Sequence, residues 1–386
     1  MKFLKLDIQV KLSKLSFKDL FAPNGNSKGL IREILLSVIN RNISRGASIE
    51  FAATTLQERC VSFCSTSDIL SFRAMEHLKK AKEIGLGDYD AVGYHLDNAI
   101  KLFEKIIDDL SFEKLKEAVL VMLNLNYYPK AVEFLLNIAN LTDKNKLAYQ
   151  YVANGSMEND QKKVYYDKRM VIYDFVSEVL VKVDELASKK NNDKSGLNIV
   201  SGDVNTLKDN TYSIAFNYND KLFHYHLYDW LVSENQADRL LDLDTIFIQP
   251  YLEEKSKDSL KISNLYWVYQ SRKSQFYKAA EILYSLAVSD FDITLNDRIE
   301  CLSRANGFCN GVCPPNRKQD MVQLTGVIQE LFDIAYVQDD LVSLINPDNS
   351  IETKTKKSLI KELNNKVLPV SDLFNDYAIP LGYHEI

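Results

Sequence analysis

Residues 128–139 read Tyr128-Pro-Lys-Ala-Val-Glu-Phe-Leu-Leu-Asn-Ile-Ala139, and residues 276–287 read Phe276-Tyr-Lys-Ala-Ala-Glu-Ile-Leu-Tyr-Ser-Leu-Ala287. Lys, Ala, Glu, Leu and Ala coincide when the two are aligned. The shared alanine lets the second helix of a pair approach the first closely, and the later Leu and Ala continue that face. This is the pattern of a helical hairpin whose apolar face is covered by its neighbours in a stack.

The same punctuation recurs around these segments. Phe112 to Leu123 is followed by Asn124-Leu-Asn126 and then by the first segment. Leu260 to Gln270 is followed by Ser271-Arg-Lys-Ser-Gln275 and then by the second, to Ser289. Phe223 to Leu231, a break at Ser233-Glu-Asn-Gln236, and Ala237 to Leu243 form another pair. Elsewhere the helical period stands alone. Tyr166, Met170, Tyr173, Val176, Leu180 and Val183 step by three or four, with Asp167, Lys168, Asp174, Glu178 and Lys182 off the stripe. Ile328, Leu331, Ala335, Leu341 and Ile345 form a similar stripe at steps of three, four, six and four, and Thr294-Leu-Asn-Asp297 fits a capping box. No stretch sustains strand alternation; Leu197 to Val200 and Ile246 to Ile248 are too short to build a sheet. The scarcity of Gly (13) and Pro (8) agrees, since all-β folds need many tight turns. The fold predicted is all-α, an irregular α-solenoid of stacked helical hairpins; no strict short period makes it a tetratricopeptide array.

Residues 1–22 form an N-terminal segment of uncertain structure, and residues 23–386 are expected to be one continuous solenoid. Polar stretches interrupt it at Asn154 to Lys163, Ser188 to Thr211, Asn306 to Gln319 and Asn346 to Thr355. The stretch 188–211 reads as a mobile loop or, alternatively, as a separator between two halves of the molecule.

The chain of 386 residues carries a net charge of −6, and its basic clusters, such as Lys79, Lys80 and Lys82, are interleaved with acids or lie in polar loops. That argues against direct nucleic-acid binding, which needs a basic stripe. No run approaches the roughly 18 apolar residues of a membrane span. Lys2, Lys5 and Asp7 stand where a signal peptide needs its apolar region, so the chain reads as intracellular. The sequons at Asn42, Asn140 and Asn154 are then chance matches, and Cys60, Cys64, Cys301, Cys309 and Cys313 are expected as reduced thiols.

Motifs that suggest chemistry fall short of it. Gly25-Asn-Ser-Lys-Gly29 matches a nucleophile elbow, but Phe21-Ala-Pro-Asn is not the strand such an elbow follows. Asp108-Asp109 and Asp339-Asp340 resemble magnesium-binding aspartate pairs, yet Phe112 and Ser343 occupy the positions of the third carboxylate. Cys60/Cys64 and Cys309/Cys313 are two-ligand fragments of a zinc site that needs four. His77, His95 and His384 read as isolated, and His224 and His226 as pointing to different helix faces. No phosphate loop or dinucleotide fingerprint occurs. No catalytic, cofactor-binding or metal-ligating residue is assigned, and the chain is not expected to be an enzyme.

The chain is rich in aromatics (21 Tyr, 18 Phe), clustered as in Phe223-His-Tyr-His-Leu-Tyr-Asp-Trp230 and Leu265-Tyr-Trp-Val-Tyr269. At helical spacing such residues are mostly core; where exposed at a groove they act as anchors for a peptide.

A run of segments, in order, resembles the large inner-ring scaffold nucleoporins of the nuclear pore complex, yeast members above all. They begin with Leu56-Gln-Glu-Arg-Cys60, Ser65-Thr-Ser-Asp68 and Ala131-Val-Glu133. Leu227-Tyr-Asp-Trp-Leu231, Ala237-Asp-Arg-Leu-Leu241, Phe247-Ile-Gln-Pro-Tyr-Leu252 and Leu265-Tyr-Trp-Val-Tyr269 follow. Ala279-Ala-Glu-Ile-Leu283, Leu286-Ala287 and Leu295-Asn-Asp-Arg-Ile-Glu-Cys301 complete the run. That family joins an N-terminal β-propeller to a C-terminal α-solenoid. The resemblance implies a solenoid portion of an inner-ring scaffold at the nuclear envelope. It implies nucleoporin partners, disordered linker nucleoporins among them, and membrane proximity through partners only. It implies no cofactor. A helical-repeat adaptor or coat-type scaffold outside the pore shares the same physics and is the alternative.

Overall fold

The computed structural model describes residues 6–20, scattered positions between 29 and 59, and residues 65–192, 201–311, 315–348 and 350–383. Among the described residues every regular element is helical. The chain divides into two compact units, Met1–Leu227 and Tyr228–Ile386.

In the first unit, helices Thr66–Ile84 and Tyr89–Lys105 pack as a hairpin. The first opens on a capping box in which Ser65 and Asp68 each accept the other's backbone N–H. Helix Phe112–Asn124 turns into helix Tyr128–Thr142, and helices Lys163–Asn192 and Ser201–Asn217 pack on the latter. Tyr128–Thr142 is the axis of this unit. Val132, Phe134, Leu135, Leu136 and Ile138 are all buried, so its apolar surface runs almost all round, as a helix enclosed on every side requires. Each such side chain contributes about 1.5–3 kcal/mol when fully withdrawn from water. Ala131 and Ala139, the alanines of the repeated segment, are buried with it, as are Ala279 and Ala287 of its counterpart.

In the second unit, helices Leu260–Arg272, Phe276–Ala287, Leu295–Cys309 and Lys318–Ile345 stack in chain order around Leu283, Leu286, Leu302, Ile328, Leu341 and Ile345. The Thr294 capping box forms as the sequence predicts. Residues 237–242 form a 3-10 helix instead of the α-helix expected there.

The polar breaks share one turn. Asn126, Asn235 and Ser274 have φ of 64°, 57° and 57°. In each, the next residue donates its N–H five residues back: Tyr127 to Met122 (2.9 Å), Gln236 to Leu231 (2.8 Å) and Gln275 to Gln270 (2.9 Å). Gly155 and Gly382, at φ 80° and 77°, lead the same bond from Ser156 to Tyr151 and from Tyr383 to Ala378. This left-handed cap satisfies carbonyls that a helix end leaves open and reverses the chain within three residues.

The loop expected at 188–211 is largely helix. Lys163–Asn192 extends through its first part and Ser201–Asn217 takes up its last; residues 193–200 lie outside the described residues. The reason is tertiary. Val204, Thr211 and Ala215 make a stripe buried against Tyr128–Thr142. Tyr212 donates its hydroxyl to Asp184 (2.9 Å), and Lys208 pairs with the same carboxylate (2.8 Å). A segment of low apolar content is thus held by a neighbour that its own sequence does not reveal.

Two buried cations fix chain reversals. The Arg169 side chain is 1% exposed and donates to Asp220 (2.7 Å, 6% exposed) and Asp143 (3.5 Å, 0% exposed). Asp143 accepts the N–H of Leu147 and Ala148, while Asp220 accepts from Phe223 N–H and from the Tyr149 and Tyr173 hydroxyls. Burial works against the guanidinium charge, but Tyr173, Asp220, Tyr149 and Asp143 together outweigh it and raise its pKa. In the second unit Arg298 has no carboxylate in reach of a hydrogen bond among the described residues. Its guanidinium donates to the carbonyls of Ala287 (2.7 Å), Ser289 (2.9 Å) and Phe291 (3.0 Å), beyond the negative end of helix Phe276–Ala287.

Candidate functional site

Among the described residues, those considered for chemistry are not assembled into a reactive site. Asp108 and Asp109 are exposed on a 3-10 turn, where Ser67 donates its hydroxyl to Asp109. Asp339 and Asp340 lie along helix Lys318–Ile345. Ser27, Cys60, Cys64, Cys313 and His384 lie outside the described residues. Cys301 and Cys309 are free, half-buried thiols, and burial pushes both pKa values up, which makes them poor nucleophiles. Among the described residues, no group of three or more His, Cys, Asp or Glu is placed to hold a metal.

The structure corrects one reading. His77 and His95 are not isolated: adjacent helices of the first hairpin bring their Nδ1 atoms to 3.0 Å, one ring donating and the other accepting. The pair forms a polar bond across the hairpin seam. His224 and His226 do face apart. His224 is buried, donating from Nε2 to the Tyr218 carbonyl (2.6 Å), and burial lowers its pKa; His226 meets Asp174 at 3.0 Å.

Most clustered aromatics are core. Phe223, Tyr228, Tyr266 and Tyr269 are buried. Tyr225, Trp230 and Trp267 are half-buried, and Trp267 lines a cleft of about 290 Å³ with Leu260, Leu283, Ile293 and Arg304. The Arg304 guanidinium lies 5.3 Å from the indole centroid, and Trp267 donates to Asn264 (3.2 Å).

Two further clefts open beside the repeated segment, one in each unit. In the second unit a cleft of about 430 Å³ is lined by Lys278 and Glu281 of that segment with Glu253, Lys257 and Tyr266. In the first, a cleft of about 370 Å³ is lined by the equivalent Lys130 and Glu133 with Tyr89, Asp90, Tyr94 and Asp97. Tyr89 and Tyr94 are 69% and 64% exposed. The Tyr89 ring stacks on Tyr127 (centroids 4.5 Å, interplanar 11°), whose hydroxyl donates to the Tyr89 carbonyl. Burial first, then the Tyr89 phenol and the Asp90 and Asp97 charges, raise the Tyr127 pKa. Sequence reading passed over Tyr89 and Tyr94; the available signal was Gly93, a glycine inside a helical pattern, where close approach or open space is the usual reason.

An arrangement of apolar seams, exposed aromatics and flanking charges suits binding of protein segments. Comparison with known proteins agrees. Nucleoporin NUP170 of Saccharomyces cerevisiae is 61% identical over 386 residues, 100% of this chain and 26% of that protein. Probable nucleoporin C890.06 of Schizosaccharomyces pombe is 34% identical over 381 residues, 99% of this chain and 28% of that protein. The chain thus spans about a quarter of the length of these curated relatives. Among solved structures, Chaetomium thermophilum Nup170 SOL superposes with a TM-score of 0.80 at 30% identity, covering 98% of this chain and 49% of that one. The Nup170 CTD–Nup145N complex of the same organism gives 0.68 at 29% identity, covering 82% and 59%. All of residues 1–386 match the family described as non-repetitive/WGA-negative nucleoporin C-terminal, and the chain belongs to that family.

Proposed function

We propose that this chain is a structural segment of the nuclear pore complex, an inner-ring scaffold solenoid at the nuclear envelope. It supports nucleocytoplasmic transport of protein and mRNA by binding linker and neighbouring nucleoporins. The observation that carries the reading is its likeness to a Nup170 C-terminal domain solved together with Nup145N. Disordered linker segments are the partners a stack of helical hairpins suits, because an extended peptide lies along a seam between helices and anchors side chains in its clefts. The net charge of −6 supports protein partners over nucleic acid. No helix of the described residues is long and apolar enough to cross a membrane, which supports membrane proximity through partners. The role is one of binding, with no catalytic step.

The test is a calorimetric titration of the folded chain with peptides tiling disordered linker nucleoporins, the Nup145N equivalent included. Saturable 1:1 binding by one or two peptides, lost on scrambling, is expected. A chain of full helicity that binds none of them overturns the reading.

A further inference from the structure

We infer that the cleft between helices Tyr89–Lys105 and Tyr128–Thr142 takes an arginine side chain of an extended partner peptide. The floor of the cleft is built for an occupant. Tyr89, Gly93 and Asp97 fall at successive four-residue steps on one face of their helix, flanked by Asp90 and Tyr94. Gly93 costs that helix about 1 kcal/mol relative to alanine. A Cβ there would meet only the Tyr127 hydroxyl, at 3.7 Å, so packing does not force glycine. What the glycine does is leave open the space between Tyr89 and Asp97.

The charge of the cleft sets the chemistry. Three carboxylates, Asp90, Asp97 and Glu133, face one ammonium, Lys130. Lys130 pairs with Asp97 across the seam (2.5 Å), which leaves Asp90 and Glu133 without a partner among the described residues. The equivalent cleft of the second unit differs at this point. There Lys278 turns back onto Glu281 of its own helix (2.9 Å), and the lining carries two carboxylates, Glu253 and Glu281, against two ammoniums, Lys257 and Lys278. The negative excess therefore belongs to the first cleft and not to the repeat as such.

The aromatic walls select arginine over lysine. Tyr89 has one ring face on Tyr127 and the rest of a largely exposed ring turned to solvent, and Tyr94 is nearly as open. A guanidinium stacks flat on such a ring while its edge N–H groups fork onto carboxylates; an ammonium does only the second. This extends the reading above by naming what one cleft holds, and synthetic peptides unrelated to any nucleoporin test it separately.

The experiment is fluorescence anisotropy of the full chain with fluorescein-labelled Gly-Ser-Leu-Arg-Leu-Ser-Gly and with lysine, citrulline or glutamate in place of arginine. The arginine peptide is expected to saturate, about 5-fold tighter than lysine, with citrulline and glutamate weaker still. Asp90→Asn with Glu133→Gln, and separately Tyr94→Ala, should each weaken it about 10-fold. Asp167→Asn with Glu178→Gln removes the same charge from exposed positions of helix Lys163–Asn192 and should leave binding unchanged. Equal binding of citrulline, equal binding of lysine, an equal loss in the Asp167/Glu178 variant, or no saturation at all each overturns the assignment.

Discussion

Replacing Arg169 by methionine is the sharpest test of how the first unit is held together. The substitution keeps an unbranched side chain as far as the position of Nε and removes the charged guanidinium head beneath a surface from which Asp143 and Asp220 are also excluded. An exposed ion pair contributes about 0–1 kcal/mol, whereas breaking a buried one costs about 3–5 kcal/mol because a charge is left in the interior uncompensated. Here two carboxylates are stranded, but they keep the Leu147, Ala148 and Phe223 amides and the Tyr149 and Tyr173 hydroxyls as donors. Those donors hold the expected loss within that range despite the doubled charge. For a unit of 227 residues, each kcal/mol moves the melting temperature by about 2–4 °C, so the transition of this unit should fall by roughly 6–20 °C. Differential scanning calorimetry gives the transition, and hydrogen exchange of helix Leu147–Ala153 localises it. Pairing Arg169→Met with Asp220→Leu removes one stranded charge along with its partner. The double variant should then be at least about 1.5 kcal/mol more stable than the sum of the single losses. A single-variant loss under about 1 kcal/mol, or strict additivity, would refute the claim that these charges compensate one another in the interior.

Other consequences are open to simpler checks. Gln338 is fully buried; its amide donates to the carbonyls of Leu363 and Lys366 and accepts the Leu368 N–H (2.8 Å). Gln338→Leu should cost about 2–4 kcal/mol by orphaning backbone groups at residues 363–368, read by urea unfolding and loss of exchange protection there. Ser274 holds the left-handed turn position that glycine occupies at 155 and 382, so Ser274→Gly should be neutral to about 1 kcal/mol stabilising, and Ser274→Val destabilising by thermal melt. Tyr228 is buried, bonded to Thr245, and its pKa is pushed up to about 12, chiefly by burial. A phenol whose pKa is higher folded than unfolded contributes stability that is complete below pH about 10 and lost as pH rises towards 12. Tyrosinate absorbance at 295 nm and loss of helical circular dichroism should therefore rise together in that window, and ionisation of the buried tyrosines without unfolding would contradict it.

Periodicity in the sequence reports which face of a helix is buried, and turn residues report where the chain reverses. Both are local quantities, set within about one helical turn or one cap. That is why helices Phe112–Asn124, Tyr128–Thr142, Leu260–Arg272 and Phe276–Ala287, with the Asn126 and Ser274 reversals between them, are legible from residues alone. Segment order also carried the family resemblance, which holds over the whole chain. What burial is against is a different matter. Arg169 meets Asp220 from 51 residues away and Asp143 from 26, and Gln338 sits on a core stripe where an apolar residue is expected. Helix Ser201–Asn217 forms because Tyr128–Thr142 receives its face, and His77 finds His95 because two helices close. The first cleft likewise depends on whether Lys130 turns to its own Glu133 or across the seam to Asp97, and both partners are present in the sequence. Local pattern determined the fold of this protein. Only the packing of one hairpin on the next decided where charge is neutralised and where it is left to meet a partner.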